Sequence, residues 1–423
     1  MRKSGPLKGS VEVSGSKNAV LPLLAATLLS EDPCTIMDVP DLDDVDIMLQ
    51  LLESLGATVQ KNIENHEITV VAKNIITNEA PVALVSKMRA SVLTMGPLLA
   101  RTGRARIPLP GGCAIGDRPI DLHQKGFLAM GAEVVKSEDE KKYGYFEANA
   151  DKLVGAEIYL DSPSVGATEN LIMAAVLAEG ETVIENAAQE PEIVDLANYL
   201  NKMGAKIKGA GMDIIKIQGV EKLHGAKHAV IPDRIEACTY MLAAAITRGD
   251  VLITNMITNH VKPIIAKLRE CGVTVEELDE GTRIYVKSDN LKATDIKTLP
   301  YPGFPTDTQP QFMTFLSTVS GPSNVLETVF ENRFMHIEEL NKMGANILEE
   351  GRRAIIHGNS SLKGATVKAT DLRAGAALII AGLVADGETL IEDCYHIDRG
   401  YELIIEKFDS LGAIIERIED EED

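Results

Sequence analysis

One phrase recurs six times along this chain of 423 residues, and it constrains the fold more than any other feature. Each copy consists of an apolar helix, a glycine turn, a strand, a loop and a second helix that ends in glycine. The closing glycines are 75, 73, 68, 72 and 68 residues apart, at Gly56, Gly131, Gly204, Gly272, Gly344 and Gly412. Repeats of this length are too long for a solenoid and are typical of small α/β modules. The sequence therefore predicts an α/β fold of six repeated modules.

The bulk properties limit the possible function classes. The length predicts two domains of three modules each, with a break near His224–Asp233. A net charge of −21 and the absence of Trp argue against a nucleic-acid-binding protein. No signal peptide or membrane-spanning stretch is visible, and five scattered cysteines are typical of reduced thiols in a cytoplasm. These properties predict a cytoplasmic protein that does not bind nucleic acid.

The modules can be aligned on one strand position each, and the first helix of each module then starts 18 or 19 residues earlier. The strand positions are Ile36, Ile107, Ile184, Ile253, Leu326 and Ile391, and the helix starts are Lys17, Arg89, Val165–Gly166, Arg234, Asp307 and Arg373. Four starts are basic, although a helix N-terminus is partially positive and favours acids. This pattern predicts a bound anion, held in a cleft between the two domains. The alternative is that these bases pair with neighbouring acids.

Two modules depart from that basic pattern. The third begins with Ser162-Pro163-Ser164-Val165, where small residues cap a helix and allow a ligand to approach the backbone. The fifth begins with Asp307, which is either a helix-stabilising acid or, among several cations, a general base.

The second module has the longest loop between strand and closing helix. It places Cys113 between glycines, followed by Arg118, which favours thiolate character. We predict a functional role for Cys113, whereas the other four cysteines are expected to be small buried hydrophobic residues. The chain lacks a phosphate loop, a dinucleotide fingerprint and clustered metal ligands. The residues therefore predict a cofactor-free anion site with a reactive Cys, one carboxylate and several cations.

Several segments closely resemble the enolpyruvyl transferases that act on UDP-N-acetylglucosamine (UDP-GlcNAc). They include SGSKNAVLPLLAATLL, GGCAIGDRPIDLH, SVGATEN, EPEIVD, PGFPTDTQPQF, ETVFENRFMH, DLRAGAAL and YHIDRGYE, and the resemblance runs from Pro6 to Ile418. It implies two inside-out α/β barrel domains, residues 18–226 and residues 1–17 plus 227–423, with the active site between them. It also implies transfer of the enolpyruvyl group of phosphoenolpyruvate (PEP) to the sugar 3-hydroxyl, in peptidoglycan precursor synthesis, with no metal or organic cofactor.

The resemblance also implies residue roles at matching positions. Cys113 is expected to be the general acid and the site of covalent inhibition by fosfomycin, and Asp307 the general base. The residues expected to bind PEP are Lys17, Asn18, Arg118, Arg373 and Arg399, with Lys17 also counted as catalytic. The residues expected to bind UDP-GlcNAc are Arg89, Arg118, Pro119, Ile120, Asp121, Leu122, Ser162, Pro163, Ser164, Val165, Asp307 and Val329.

Other functions stay open on the sequence. One is an enolpyruvyl transferase with a different acceptor alcohol, and another is a non-catalytic paralogue that binds UDP-GlcNAc and regulates. The regulator is disfavoured because Lys17, Cys113 and Asp307 are all present. An RNA-end-processing enzyme of similar repeat architecture conflicts with the net charge of −21.

Overall fold

The computed structural model of the chain describes residues 1–109, 120–137, 144–288 and 290–418. Over these residues the chain is a mixed α/β protein. Its α-helices are α1 Lys17–Ala26, α2 Asp43–Ser54, α3 Val82–Val85, α4 Met95–Thr102, α5 Asp121–Ala129, α6 Val165–Ala175, α7 Pro191–Lys202, α8 Arg234–Ile246, α9 Lys262–Glu270, α10 Gln309–Ser317, α11 His336–Lys342, α12 Leu372–Gly382, α13 Tyr395–Asp398 and α14 Ile404–Ser410. Short 3₁₀-helices lie at Thr27–Leu29, Ile63–Asn65, Arg89–Thr94, Thr258–Val261 and Thr306–Thr308.

The strands are short, mostly three to five residues. They are β1 Lys8–Glu12, β2 Cys34–Met37, β3 Thr58–Asn62, β4 Glu67–Val71, β5 Arg104–Pro108, β6 Glu133–Ser137, β7 Tyr145–Asn149, β8 Glu157–Tyr159, β9 Glu181–Glu185, β10 Lys206–Lys208, β11 Ile214–Gln218, β12 Lys227–Ala229, β13 Asp250–Thr254, β14 Thr274–Leu278, β15 Gly281–Tyr285, β16 Ile296–Lys297, β17 Ser323–Leu326, β18 Ile347–Glu350, β19 Arg353–Ile356, β20 Thr366–Lys368 and β21 Leu390–Glu392.

The described strands form six sheets, and one arrangement recurs among them. In four sheets a central strand pairs in parallel with an edge strand on one side and antiparallel with a hairpin on the other. These sheets have the orders β12-β2-β4-β3, β8-β9-β11-β10, β1-β13-β15-β14 and β16-β17-β19-β18. In the sheet β5-β7-β6, an isolated parallel bridge between Glu79 and Arg106 stands where the other sheets have a parallel edge strand. The sixth sheet is the parallel pair β20-β21. The sequence repeat is therefore also a repeat of strand pairing.

The predicted strand and helix-end positions are confirmed. Ile36, Ile107, Ile184, Ile253, Leu326 and Ile391 all lie on strands, namely β2, β5, β9, β13, β17 and β21. The six closing glycines follow α2, α5, α7, α9, α11 and α14, and each has a positive φ, between 87° and 110°. Glycine is favoured there because a side chain in this left-handed backbone region clashes with the preceding carbonyl.

The predicted helix starts are confirmed for four modules, where α1, α6, α8 and α12 begin at or one residue before the predicted position. Arg89 and Asp307 instead lie on 3₁₀-helices that precede α4 and α10. At the Asp307 turn the cause is Pro310, which has no N–H to donate to the carbonyl of Thr306. That carbonyl accepts from the Gln309 N–H and from Nε of Arg333. The tight turn therefore leaves the Thr306 carbonyl available to an arginine side chain.

The described residues fall into two compact units with separate hydrophobic cores. We call residues 15–109 and 120–231 the first unit, and residues 1–14 and 232–418 without 289 the second unit. In the second unit α8, α10 and α12 pack against one another and are buried along nearly their whole lengths. The strands bury alternate residues, as in the pattern of β9, because only one face of each sheet contacts the core. Apolar helices therefore form the interior and the sheets cover them.

Four cysteines lie among the described residues. Cys34, Cys238 and Cys271 are buried, as predicted. Cys394 is only half-buried, because it lies at the N-terminus of the short helix α13, where its thiol donates to the carbonyl of Ile391. The prediction that all four are buried was therefore wrong for Cys394. No helix in the described ranges has the length and apolar character needed to cross a bilayer.

Candidate active site

In the first unit, Lys17 begins helix α1 and forms an almost buried ion pair. Its Nζ lies 2.6 Å from Oδ2 of Asp44 in the first turn of α2, and the two side chains are 12% and 3% exposed. The Ser16 side chain caps α1 by accepting the N–H of Ala19, and Asn18 is the second helical residue. Paired buried charges hold each other in place, because removing one partner leaves a poorly hydrated charge. The ammonium of Lys17 is therefore fixed at the start of α1. This pairing matches the alternative raised for the basic helix starts of the sequence, in which each base pairs with a neighbouring acid.

We expect Lys17→Met to destabilise the protein by about 3 kcal/mol, because the Asp44 carboxylate loses its ammonium partner in a nearly dry site. The double variant Lys17→Met/Asp44→Asn should recover most of that loss in urea unfolding. Lys61→Met is a matched control, since Lys61 pairs with Asp46 of the same helix at the surface. Such an exposed pair contributes about 0–1 kcal/mol. Equal losses from the Lys17 and Lys61 substitutions would contradict this account.

Elements that carry predicted sugar-nucleotide residues meet around Asn170 of α6, namely α6 itself, α5 and the segment from Arg89 to the start of α4. Its Oδ1 accepts the N–H of Gly96 at 2.8 Å, and its Nδ2 donates to the carbonyl of Val92 at 2.9 Å. The same Nδ2 lies 3.0 Å from Nδ1 of His123 on α5. The 3₁₀-helix that begins at Arg89 also packs against α1, which carries Lys17.

The predicted sugar-nucleotide residues of the first unit are thereby held near one another. Arg89 starts the 3₁₀-helix, Ile120–Leu122 enters α5, and Ser164 caps α6 by accepting the N–H of Ala167. Ser162 and Pro163 are exposed, and Ser164 and Val165 are half-buried. The start of α6 thus has accessible backbone, as an anion- or ligand-binding helix end requires.

His123 is buried and uncharged in this cluster. Burial lowers its pKa, and the nearby positive charge of Arg89 lowers it further, to about 4. A neutral imidazole can accept the Asn170 amide proton at Nδ1, which the charged form cannot do. The low pKa of His123 therefore keeps intact the contact that joins α5 to α6.

The depressed pKa of His123 predicts a pH-dependent stability. Between about pH 6.5 and pH 4 the unfolded chain takes up a proton that the folded protein does not bind, so stability falls as the pH falls. This fall amounts to roughly 3 kcal/mol if the whole interval is crossed. His123→Gln keeps an acceptor for Asn170 without titrating, and urea unfolding should show a flatter pH dependence than in the parent. Parallel pH profiles of the two proteins would rule out His123 as the cause.

In the second unit, Asp307 lies between two buried arginines. Its Oδ1 is 2.9 Å from Nη2 of Arg333, and its Oδ2 is 3.2 Å from Nη2 of Arg373. The Asp307 side chain is 28% exposed, whereas Arg333 and Arg373 are 2% and 5% exposed. The Asp307 carboxylate is therefore accessible to a ligand, whereas the two guanidinium groups are buried inside the second unit.

The two arginines have different further partners. Arg333 lies 3.5 Å from the carboxylate of Asp371, which itself caps α12, and donates to the carbonyl of Thr306. Nη1 of Arg373 is 3.4 Å from the hydroxyl of Tyr401. Burial alone would lower the pKa of Arg373, but the combined effect of Asp307, Tyr401 and Asp233 outweighs burial and raises the pKa above its usual value. Both guanidinium groups are thus held in place by contacts within the second unit.

The buried carboxylate of Glu327 joins the Asp307 turn to the segment that contains Val329. Its Oε2 accepts the hydroxyl proton of Thr306 at 3.0 Å. Its Oε1 accepts from the hydroxyl of Thr298 at 2.9 Å and from the N–H groups of Val329 and Phe330 at 2.8 and 3.1 Å. Two predicted sugar-nucleotide residues, Asp307 and Val329, are therefore positioned by one side chain.

Arg399 follows α13, where its charge contributes, after burial, to the lowered pKa of His396. Cys113, Arg118 and Pro119 lie outside the described residues. The roles predicted for these four residues stay predictions, as do those of the other predicted site residues.

The sequence reasoning assigned no role to Asp44, Asn170, Glu327 or Arg333. Glu327 carried a signal that could have been used, since it follows β17 directly and continues the alternation in which Ser323 and Val325 are buried. A buried carboxylate needs hydrogen-bond donors. The other three residues have ordinary local surroundings, and only their long-range partners make them part of the site.

Each unit thus presents a set of groups suited to anionic ligands. The first has the ammonium of Lys17, the guanidinium of Arg89 and the open start of α6. The second has two buried guanidinium groups around one partly exposed carboxylate. Cations of this kind bind carboxylates and phosphates, and the carboxylate can accept a proton from a hydroxyl group. In the described ranges no group of His, Cys, Asp and Glu is arranged to hold a metal ion.

Known proteins resemble this chain over nearly its whole length. A family model for EPSP synthase (3-phosphoshikimate 1-carboxyvinyltransferase) matches residues 1–408. The chain is 59% identical over 424 residues to UDP-N-acetylglucosamine 1-carboxyvinyltransferase of Finegoldia magna, with 100% of this chain and 99% of that protein covered. It is 59% identical over 418 residues to UDP-N-acetylglucosamine 1-carboxyvinyltransferase 1 of Caldanaerobacter subterraneus subsp. tengcongensis, with 99% and 98% covered.

Solved structures agree in fold. The enolpyruvyl transferase NikO from Streptomyces tendae superposes with a TM-score of 0.87 at 24% identity, over 98% of this chain and 97% of that one. An EPSP synthase from Acinetobacter baumannii gives a TM-score of 0.73 at 20% identity, over 98% and 97% of the two chains. With the high identity of the sequence relatives, these findings show that the chain belongs to the enolpyruvyl (carboxyvinyl) transferase family, among the UDP-N-acetylglucosamine 1-carboxyvinyltransferases.

Proposed function

We propose that this protein transfers the enolpyruvyl group of PEP to the 3-hydroxyl of UDP-GlcNAc and releases phosphate, an early step of peptidoglycan precursor synthesis. The observation that carries the proposal is the 59% identity, over all of this chain, to a protein of that named activity. The geometry of Asp307 between Arg333 and Arg373 supports it, because the reaction needs a base beside bound anions.

The proposed roles follow the sequence predictions. Lys17, Asn18, Arg118, Arg373 and Arg399 bind the PEP anion. Asp307 takes the proton of the sugar 3-hydroxyl, and Cys113 protonates C3 of PEP. The UDP-sugar contacts are Arg89, Arg118–Leu122, Ser162–Val165, Asp307 and Val329. The arrangement of Arg89, Ile120–Leu122 and the start of α6 around Asn170 supports this assignment for the first unit.

The chemistry is an addition followed by an elimination. In the addition, the sugar oxygen bonds to C2 of PEP as its proton passes to Asp307, and the Cys113 thiol gives a proton to C3. In the elimination, a proton leaves C3 for the Cys113 thiolate, the bond from C2 to the phosphate oxygen breaks, and the carbon–carbon double bond forms again. The departing phosphate takes the proton held by Asp307, so both side chains return to their starting forms. Fixed cations stabilise the phosphate that departs, and positioned reactants lower the entropic part of the barrier.

We further propose that the chain consists of two inside-out barrels of three modules each, which the sequence places at residues 18–226 and residues 1–17 plus 227–423. The compact units of the structure divide a few residues away, before Gly15 and after Ile231. The recurring sheets and the buried helices α8, α10 and α12 support the module arrangement. We infer a cytoplasmic location, which the unpaired thiols of Cys34, Cys238, Cys271 and Cys394 support.

The test is the release of inorganic phosphate from PEP, with and without UDP-GlcNAc. We expect release only when the sugar nucleotide is present. Phosphate release that requires shikimate 3-phosphate instead would show that the proposed acceptor is wrong and that the proposed reaction class is right. A folded protein that binds UDP-GlcNAc without releasing phosphate would be a regulatory protein, and the proposed activity would be wrong.

A further inference from the structure

The salt bridge between Asp307 and Arg373 joins the proposed base to a proposed ligand of the substrate anion. Oδ2 of Asp307 lies 3.2 Å from Nη2 of Arg373, while Oδ1 lies 2.9 Å from Nη2 of Arg333. A cation at this distance stabilises a carboxylate against protonation. A general base, in contrast, has to take up a proton during the reaction. The two arginines therefore place Asp307 for its proposed role, but their salt bridges must be weakened before the carboxylate can take up a proton.

The two arginines are not equivalent in this respect. Arg333 has fixed partners besides Asp307, since it lies 3.5 Å from the Asp371 carboxylate and donates to the Thr306 carbonyl at 3.4 Å. Arg373 forms its salt bridge with Asp307, approaches the neutral hydroxyl of Tyr401 at 3.4 Å and is also acted on by the negative charge of Asp233, whose side chain is engaged in capping α8. Arg333 can therefore hold the Asp307 turn in place, whereas Arg373 can exchange its carboxylate partner.

The buried guanidinium of Arg373 requires an anionic partner. Its side chain is 5% exposed, and a guanidinium that is poorly hydrated requires a negative partner to remain charged. Asp307 meets this need here. A carboxylate or phosphate group of a substrate is also negative and offers two oxygen acceptors to a guanidinium, so it can take the place of Asp307 on Arg373.

We propose that Asp307 and the substrate anion compete for Arg373, so that anion binding displaces Asp307 from this guanidinium and leaves it able to accept the hydroxyl proton. The inference rests on the proposed function, because that function identifies the anion as PEP. It adds a coupling between the two substrates. The base becomes effective once the anion is bound, so the sugar hydroxyl is activated when its reaction partner is in place.

The test uses the full chain in a Cys113→Ala background, in which PEP cannot form a covalent adduct with that thiol. PEP binding is measured by titration calorimetry without UDP-GlcNAc. We expect Asp307→Asn to bind PEP about tenfold more tightly than its parent, because the amide competes poorly for the guanidinium. A gain in affinity cannot result from misfolding. An unchanged or weaker affinity would overturn the competition.

A double-mutant cycle separates displacement from the general effect of removing a negative charge. In an Arg373→Gln background, titrated to millimolar PEP, Asp307→Asn should give no gain. A gain that persists there would overturn the specific exchange at Arg373. Asp250→Asn is the matched control, because Asp250 pairs with Arg283 at 2.7 Å in another part of the second unit, and it should leave PEP affinity unchanged.

The proposed competition and the proposed function can fail independently, and the measurements distinguish the two cases. Sugar-dependent phosphate release is measured first on the natural sequence. Release together with an unchanged affinity in Asp307→Asn overturns the competition alone. Absence of both release and PEP binding overturns the proposed function and the competition together.

Discussion

Asp307→Asn should lower kcat for phosphate release by about 10²–10⁴-fold, the usual contribution of a general base. The amide keeps the size of the side chain and can still accept from Arg333, but it cannot take the proton of the sugar hydroxyl. Because the Asp307 turn is held by Glu327 through Thr306, we expect the fold around it to survive the substitution. Steady-state kinetics with both substrates saturating would give kcat directly.

The control for this substitution is Asp250→Asn, which removes a carboxylate from a different arginine pair of the same unit. It should keep kcat close to that of the parent. An Asp307→Asn protein that retains about a tenth or more of the parental kcat would exclude Asp307 as an essential base.

Cys113→Ala should abolish irreversible inactivation by fosfomycin and lower transfer by about 10²-fold or more, as expected on loss of a general acid. Fosfomycin is an epoxide that a thiolate opens with formation of a carbon–sulfur bond. Burial raises the pKa of Cys238 and of Cys271 to about 12, and it also raises the pKa of Cys34. These three thiols are therefore poor nucleophiles, since the thiolate is the reactive form.

Cys394 is the half-buried alternative among the described cysteines, and burial raises its pKa as well. Cys394→Ser should therefore be inactivated at the same rate as the parent. Intact-protein mass spectrometry should find one adduct in the parent and in Cys394→Ser, and none in Cys113→Ala. An inactivated, modified Cys113→Ala protein would remove Cys113 as the target.

The sequence by itself determined the repeated local structure. Strand positions such as Ile184 and helix ends such as Gly204 were predictable, because alternation of apolar residues and the need for a positive φ act over a few neighbouring residues. The basic start of α1 at Lys17 was predictable for the same reason. The same local patterns led to the prediction of an anionic ligand, since four predicted helix starts carry bases that helix electrostatics disfavours.

Only the tertiary structure decided which side chains are partners. Asp307 meets Arg333 and Arg373, which are 26 and 66 residues away, and Lys17 meets Asp44 across two helices. Local propensity carries no information on such contacts, because they depend on how separate modules pack around a common core. The same packing makes supports of the site out of Asp44, Asn170 and Arg333, whose local surroundings in the sequence are ordinary. Periodicity thus specified the elements, whereas long-range packing specified the charges that surround the proposed base.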